Sequence, residues 1–139
     1  MISVLRSNAS NGAAIANVDD GIFTFEGKLE VAYEGKGIGF LNSAKASGYV
    51  MTMSGSSISV ANTGGIGIVN NGNFILNGKL TINNPSENVG AGFQNTNNFS
   101  LGGNLEIQNP SGKNGFLNLG SFVIQSGGTF SGTILGTQP

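Results

Sequence analysis

Residues 90–118 read GAGFQNTNNFSLGGNLEIQNPSGKNGFLN, and this stretch contains one short pattern twice. The two copies are GAGFQN (90–95) and KNGFLN (113–118), in which glycine precedes a large apolar residue, a variable residue and an asparagine. Glycine-rich segments beside apolar residues occur in phosphate-binding loops and in the corners of repeat proteins. The number of copies in the chain therefore decides between the two interpretations.

The pattern recurs through the whole chain of 139 residues. Three further copies are GAAIAN (12–17), GIGFLN (37–42) and GIGIVN (65–70). The large apolar residues of the five copies are 25, 28, 25 and 23 positions apart: Ile15, Phe40, Ile68, Phe93 and Phe116. A period near 25 residues indicates a repeat architecture rather than a single loop with a special function.

Two further apolar motifs follow each copy. The second motif is an apolar–x–apolar triplet, with the members Phe23/Phe25, Met51/Met53, Phe74/Leu76, Phe99/Leu101 and Phe122/Ile124. The third motif has the members Leu29/Val31, Ile58/Val60, Leu80/Ile82, Leu105/Ile107 and a shortened copy at Phe130, and Ile2 and Val4 match it before the first repeat. Alternation of apolar and other residues predicts short strands, and no segment shows a helical period.

The spacing predicts an all-β fold, namely a single-stranded parallel β-helix or β-solenoid. We expect one domain, 1–139, with about five coils of three short strands each and a right-handed winding. The predicted repeats are 12–36, 37–64, 65–89, 90–112 and 113–135, and 1–11 form a partial N-terminal coil. Equivalent residues of successive coils then stack at the strand spacing of about 4.8 Å.

An asparagine ends the first motif in every copy. These residues are Asn17, Asn42, Asn70, Asn95 and Asn118. Stacked side-chain amides can hydrogen-bond along the direction of stacking. We therefore predict that the five asparagines form a structural ladder at one corner of the coils.

The coil length, the three-strand pattern and the asparagine corners resemble right-handed parallel β-helix proteins. That architecture includes pectate-lyase-like domains, secreted adhesins and phage tailspikes, and the resemblance covers nearly the whole chain. It lies in the architecture alone. The hexapeptide repeat of left-handed helices and the GGxGxD repeat of calcium-binding proteins do not occur in this chain.

Composition argues against catalysis and against several classes of partner. The chain contains no His and no Cys, which removes the commonest general base and the thiolate ligands of zinc. Only 9% of the residues are charged and the net charge is −1, which does not favour nucleic acid. No apolar run is long enough for a membrane span. We expect no enzyme activity, cofactor, bound metal, nucleic-acid partner or membrane insertion.

Two segments approach the phosphate-binding pattern GxxxxGK[ST] without matching it. In GIFTFEGK (21–28) and GNFILNGK (72–79) the glycines are one residue too far apart, and a leucine follows the lysine. Both segments occupy the same place in the repeat, so a corner before the third strand is the better interpretation.

Clustered acids on a β-helix face are the pattern expected of a polysaccharide lyase or hydrolase. Glu30 and Glu106 share a predicted outward column, but two coils separate them, which places them about 14 Å apart at the strand spacing. That separation is too large for a glycosidase pair. Asp19 and Asp20 could bind a calcium ion at a corner, although a solvated turn is the better interpretation.

The residues that point outward distinguish the three faces. Behind the second motif they are Thr24, Thr52, Ile75, Ser100 and Val123, and behind the third they are Glu30, Ser59, Thr81, Glu106 and Ser131. Behind the first motif they are Ala16, Leu41, Val69, Gln94 and Leu117. Four of the last five are apolar, and a rod that is alone in solution should not expose such a stripe. This column is the predicted interface.

These features favour a non-catalytic structural or assembly protein. We expect a virion fibre, spike or decoration component or a surface-appendage subunit that forms a homo-oligomer, with a trimer favoured, or packs on other structural proteins. The alternative is a repeat segment of a secreted bacterial adhesin that binds a host surface or a glycan, and a carbohydrate-active enzyme is less favoured. The expected location is a virion or the cell surface, and MISVLRSNASNG (1–12) does not read as a signal peptide.

Overall fold

The computed structural model describes residues 2–9, 12–35, 37–45, 47–62, 65–83, 91–108 and 115–139. Every regular element in these ranges is a strand. The strands are β1 (Ile2–Ala9), β2 (Ala13–Asp19), β3 (Ile22–Phe25), β4 (Lys28–Gly35), β5 (Ile38–Ala44), β6 (Tyr49–Thr52), β7 (Ser57–Asn62), β8 (Ile66–Asn70), β9 (Asn73–Leu76), β10 (Lys79–Asn83), β11 (Phe93–Asn95), β12 (Asn98–Leu101), β13 (Asn104–Gln108), β14 (Phe116–Asn118), β15 (Ser121–Ile124), β16 (Thr129–Ser131) and β17 (Ile134–Gly136).

The strands form three parallel sheets, and the chain visits them in turn. Sheet A has the order β1-β4-β7-β10-β13-β16, sheet B has the order β2-β5-β8-β11-β14-β17, and sheet C has the order β3-β6-β9-β12-β15. Each strand therefore pairs with the strand three places later, one coil further along. This topology is a β-solenoid with three strands per coil, and it confirms the fold class expected from the repeats.

The core is a set of stacked side chains from all three sheets. Phe93 of sheet B stacks on Phe116 one coil later, with ring centroids 4.9 Å apart and planes 20° apart. Phe99 of sheet C stacks on Phe122 at 5.2 Å and 25°, and Phe93 also lies 4.8 Å from Phe99. Two phenylalanine columns thus pack side by side, and each such pair adds about 0.5–1.5 kcal/mol beyond its buried area. Leucine, isoleucine and valine of sheet A close the third side.

The five repeat asparagines lie in one column at the corner between sheets B and C. Asn42, Asn70, Asn95 and Asn118 are 0% exposed, and Asn17 in the first coil is 8% exposed. Each Nδ2 donates to the Oδ1 of the next asparagine, at 3.1 Å from Asn17 and at 2.8 Å in the three later steps. The column ends where Asn118 donates to the carbonyl oxygen of Thr137 at 2.9 Å.

The same amides also satisfy backbone groups at the corner. Asn95 Nδ2 donates to the carbonyl oxygen of Ser121 in the next coil at 3.0 Å, and Asn70 and Asn42 make the equivalent bonds in their coils. Asn70 Oδ1 also accepts from the backbone N–H of Gly72 at 3.3 Å. The side chain therefore connects its own corner to the corner one coil further along, where a buried backbone group would otherwise lack a partner.

Coil two corrects one detail of the sequence analysis. The sequence pattern placed Met51 and Met53 in the core, but the register pairs Val50 with Phe74 and Thr52 with Leu76. Val50 and Thr52 are both fully buried, whereas Met51 lies opposite Ile75 and is half-buried. The outward column of sheet C is therefore Thr24, Met51, Ile75, Ser100 and Val123.

The buried threonine has a polar partner that the apolar pattern did not reveal. Thr52 Oγ1 accepts from the backbone N–H of Asn77 at 3.0 Å and of Gly78 at 3.1 Å, at the corner of the next coil. Asn77 also donates to the Thr52 carbonyl oxygen at 3.3 Å. The Thr52 hydroxyl therefore occupies a core position and serves as a hydrogen-bond acceptor for the buried corner of the next coil.

Glycines serve two different purposes at the corners. Gly92, in the opening stretch, has no positive φ, but a Cβ there would lie 2.8 Å from Ile107 Cγ2 and 3.0 Å from the Gly115 carbonyl oxygen. Gly55, at the corner between sheets C and A, has a φ of 86° and open space around its missing Cβ. The motif glycine is required for close packing, and the second glycine for its backbone conformation.

The last strand of sheet B was missed by the sequence analysis. β17 pairs with β14, so that Ile134 lies over Phe116, Leu135 over Leu117 and Gly136 over Asn118. Glycine at the asparagine position hides the motif, which explains why the sequence pattern stopped one strand short. Leu135 extends the predicted interface column to six members.

Replacing Asn95 by alanine should destabilise the solenoid by about 2–4 kcal/mol, because it removes the buried ladder bonds with Asn70 and Asn118 and the bond to the Ser121 carbonyl oxygen. Asn97→Ala is the matched control, because Asn97 lies at the same corner but is exposed. The control should cost under about 0.5 kcal/mol. Urea unfolding followed by circular dichroism measures both variants, and equal losses would contradict a structural role for the ladder.

Thr52→Val should cost about 1–3 kcal/mol, because the replacement keeps the shape but removes the acceptor of the Gly78 amide. Thr81→Val, at an outward position of sheet A, provides the comparison, and we expect its unfolding midpoint to stay within error of the wild type. If Thr52→Val is neutral or stabilising in the same unfolding experiment, the hydroxyl is not needed by the corner.

Candidate functional site

The outward face of sheet A is polar and charged. Its central column pairs Glu30, Ser59, Thr81, Glu106 and Ser131 in register, as the sequence predicted. Lys28 and Glu30 form an ion pair at 3.1 Å, but both side chains are about half exposed, at 56% and 43%. An exposed pair of this kind contributes little to stability. This face is suited to contact with water.

The outward face of sheet C is mixed. Its first coils carry the apolar side chains Ile22, which is 60% exposed, Met51 and Ile75. In later coils the amide of Asn98 donates to Asn73 Oδ1 at 2.9 Å, and Gln125 donates to Ser100 Oγ at 3.2 Å. The apolar side chains of this face therefore lie on its first three strands, apart from Val123.

The predicted interface residues share one column on the outward face of sheet B. Parallel pairing places them in register from coil to coil, in the order Ala16, Leu41, Val69, Gln94, Leu117 and the added Leu135. Ala16 is exposed and Val69 is 5% exposed, while the other four are half-buried. The column is thus a ridge of closely packed side chains, in which Val69 is recessed.

A second apolar column lies beside the first one and was not identified from the sequence. It consists of Ala13, Ile38 and Ile66, which pair in register on β2, β5 and β8. The half-buried apolar residues that pack on the core are Val4, Ala14, Ile15, Phe23, Phe130 and Ile134, and none of this column is among them. A Cβ on Gly39 would lie 2.8 Å from Val60 Cγ1 in the core, so this glycine of the GIG motif faces inward and Ile38 before it faces outward.

Together these nine residues define the sheet B face. Eight are apolar, none is charged, and Gln94 is the polar one. Beside them, β2 and β5 add the exposed Val18 and the polar Ser43, which pair in register on the same side of the sheet. The side-chain amide of Gln94 makes no hydrogen bond to any described residue, so water solvates it in the isolated rod. Sheet B differs in this respect from sheet A, where charges occur in several coils.

The other candidate sites of the sequence do not converge on a reaction centre. Asp19 and Asp20 are exposed at the corner after β2. Within the described ranges no three acidic residues are grouped so that they could hold a metal ion. In the glycine–lysine segments 21–28 and 72–79, a strand lies between the two glycines, which places both segments in the repeat.

A shallow groove of about 420 Å³ follows the corner between sheets C and A. Small and polar residues of successive coils line it, among them Ser57, Asn77, Lys79, Asn104 and Thr129. It contains hydroxyl, amide and ammonium groups and no carboxylate. Tyr49 begins β6 of sheet C and is not among the lining residues, and the side chain of Tyr33 is outside the described part of the structure.

Comparison with known proteins gives no further guide to function. No protein-family model, curated protein or solved structure shows a significant match to the chain. No helix long and apolar enough to cross a membrane occurs in the described part of the chain.

Proposed function

We propose that this protein is a non-catalytic structural component that self-associates through the sheet B face. The observation that supports this function is the contrast between an uncharged apolar face and the charged face of sheet A in the same coils. A contiguous apolar patch on a rod is a site for another protein surface. A virion fibre, spike or decoration protein, or a subunit of a surface appendage, combines such a face with a stiff repeat.

The size of the face limits the affinity of one contact. Six strands at about 4.8 Å and about five residues at 3.3 Å give a patch of roughly 24 by 16 Å, or about 400 Å² on each rod. Stable complexes bury about 800 Å² on each partner. A single contact should therefore be weak, and association should be measured at high protein concentration or in a bundle where several rods pack together.

Leu41→Lys combined with Leu117→Lys should abolish self-association, because the substitutions place two charges on each copy in a contact that excludes water. Both leucines are half-buried and outward, so the coil itself should tolerate the change. Sedimentation velocity over a concentration series up to about 1 mM, which reaches contacts as weak as about 4 kcal/mol, reports the molecular mass in solution.

The matched control is Ser59→Lys combined with Thr81→Lys, which adds the same charge to the face of sheet A. This control should associate like the wild type. If the wild-type protein is a monomer across the whole series, or if both double variants lose association equally, the proposal is wrong.

The groove between sheets C and A supports a second candidate, an adhesin segment that binds an extended glycan. Hydroxyl and amide groups repeated at the coil spacing can bond to successive sugar hydroxyls, although sugar-stacking aromatic side chains are not among the lining residues. Lys79→Ala with Asn104→Ala should then lower binding on a glycan array at least fivefold, by analogy with the loss of two hydrogen bonds. An array without any ligand for the wild type would remove this candidate.

A further inference from the structure

The asparagine column at the corner between sheets B and C has two chemically different ends. Every Nδ2 in the column donates toward the C-terminal end, so the last amide needs an acceptor and the first amide needs a donor. At the C-terminal end Asn118 donates to the carbonyl oxygen of Thr137 at 2.9 Å, and its Oδ1 accepts from Asn95 and from the N–H of Gly120. The chain itself therefore closes this end of the column.

The N-terminal end of the column is open. Asn17 is only 8% exposed, and its Nδ2 bonds to Asn42 Oδ1 at 3.1 Å and to the carbonyl oxygens of Gly21 and Tyr49 at 2.9 and 3.2 Å. Its Oδ1 accepts a hydrogen bond from no described residue, whereas each later Oδ1 of the column accepts one from the asparagine a coil earlier. In the free rod only water can donate to this buried acceptor.

A second acceptor lies at the same corner. In the later coils each column amide also donates to the carbonyl oxygen of the first residue of a sheet C strand, and these residues are Tyr49, Asn73, Asn98 and Ser121. The corresponding residue of the first coil is Ile22, which starts β3 and pairs with Tyr49. Its carbonyl oxygen receives no such amide among the described residues, because Asn17 is the first member of the column. The open corner thus presents two acceptors for one side-chain amide.

The core beside this corner is also incompletely covered. Ile15 of β2 and Phe23 of β3 pack against the core but are only half-buried. Phe40 and Val50, which occupy the same positions one coil later, are 1% and 0% exposed. Since β2 and β3 are edge strands of sheets B and C, a further coil on this end would bury both side chains and continue both sheets.

We propose that the N-terminal end of the rod binds a partner protein that presents two parallel strands joined by a corner with a free asparagine amide. The Nδ2 of that asparagine donates to Asn17 Oδ1 and to the Ile22 carbonyl oxygen, while the flanking strands pair with β2 and β3. The partner thus adds one coil to the rod. This inference is independent of self-association through the sheet B face, which lies along the rod and not at its end.

A second copy of this chain does not supply the donor. If two copies stacked end to end, β17 of one copy would continue sheet B against β2 of the next, with Gly136 at the column position, because Gly136 lies over Asn118. Gly136 has no side chain, and a Cβ there would clash with the Asn118 carbonyl oxygen. The N–H of Thr137 already donates to the same oxygen. The chemistry of the open corner therefore favours a different protein.

A synthetic peptide of residues 65–76, GIGIVNNGNFIL, is a suitable probe, because it contains β8, the corner with Asn70 and β9. In the rod Asn70 Nδ2 makes the two bonds expected of the partner, to Asn95 Oδ1 at 2.8 Å and to the Asn98 carbonyl oxygen at 2.9 Å. The peptide is titrated to about 1 mM into the ¹⁵N-labelled full chain. We expect saturable changes in the amide chemical shifts of β2, β3 and the corner between them, with β15 to β17 unchanged.

Two variants of the peptide test the amide and leave the folded rod unaltered. Asn70→Asp keeps the shape of the side chain but replaces the donor by a second acceptor, so its Kd should rise at least about tenfold, or ~1.4 kcal/mol. Asn71→Asp is the matched control, because it adds the same charge at the neighbouring exposed corner residue. Its Kd should stay within about twofold of that of the unaltered peptide.

Equal affinity of the two variant peptides would overturn the role of the amide. Chemical shift changes confined to β15–β17 or to the sheet B face, or no change at 1 mM, would overturn the docking site itself. Ile124→Lys in the rod alters the C-terminal end, where Ile124 is 39% exposed, and should leave the affinity for the peptide unchanged.

Sedimentation of the rod with and without the peptide tests the choice of occupant. Long end-to-end assemblies that the peptide disperses would show that a second copy occupies the end, contrary to this inference. A rod that stays monomeric at every concentration but binds the peptide at β2 and β3 would contradict the proposed function and support this inference.

Discussion

The structure depends on the hydrogen-bonded column of asparagine amides at the corner between sheets B and C. A corner of a narrow solenoid brings backbone amides and carbonyls into a space that water does not reach. Each buried asparagine bonds within its own corner and with the next coil, and every Nδ2 in the column donates toward the C-terminal end. The spacing of the coils, the register of sheet B and the direction of the chain at the corner are therefore set together.

Much of this arrangement could be predicted from the sequence, because each coil must place the same chemistry at the same height. Asn95 lies over Asn70, and Phe93 lies over Ile68, so stacking repeats the same kind of residue about every 25 positions. A period of this kind can be read without an alignment. The alternating core of sheet A was equally clear, because Leu80 and Ile82 match Ile58 and Val60 one coil earlier.

The sequence analysis was wrong where the choice of a residue depends on a hydrogen bond with a different coil. Thr52 appeared outward because its hydroxyl is polar, and Met51 appeared inward because it is apolar. The hydroxyl is buried because two amides of the following corner need an acceptor, and that need belongs to residues 77 and 78 rather than to the local pattern. Gly136 was missed for a related reason, since it occupies an asparagine position in a coil where Thr137 supplies the carbonyl that Asn118 requires.

Only part of the candidate site could be predicted from the repeat pattern. Stacking constrains what points inward but leaves the outward positions free, so the outward composition reflects the surroundings of each face rather than the fold. The column from Ala16 to Leu117 could be inferred because its members lie between inward residues, and side chains alternate between the two faces of a strand. Ile38 and Ile66 could not be inferred in this way, because each lies two positions before an inward residue, where simple alternation predicts an inward side chain. The inward direction of Gly39, toward Val60, is visible only in the structure.

Repetition has different consequences inside and outside this rod. Inside, an asparagine in every coil makes the coils equivalent, so the ladder can propagate along the whole rod but distinguishes no coil from another. An outward face built in the same repetitive way would also accept a partner at several heights. Gln94 is the one polar residue in the column from Ala16 to Leu135, so it marks the coil of that column that differs in kind from the others. Outward residues that depart from the repeat, such as Gln94, are therefore the positions at which a partner could distinguish one coil from another.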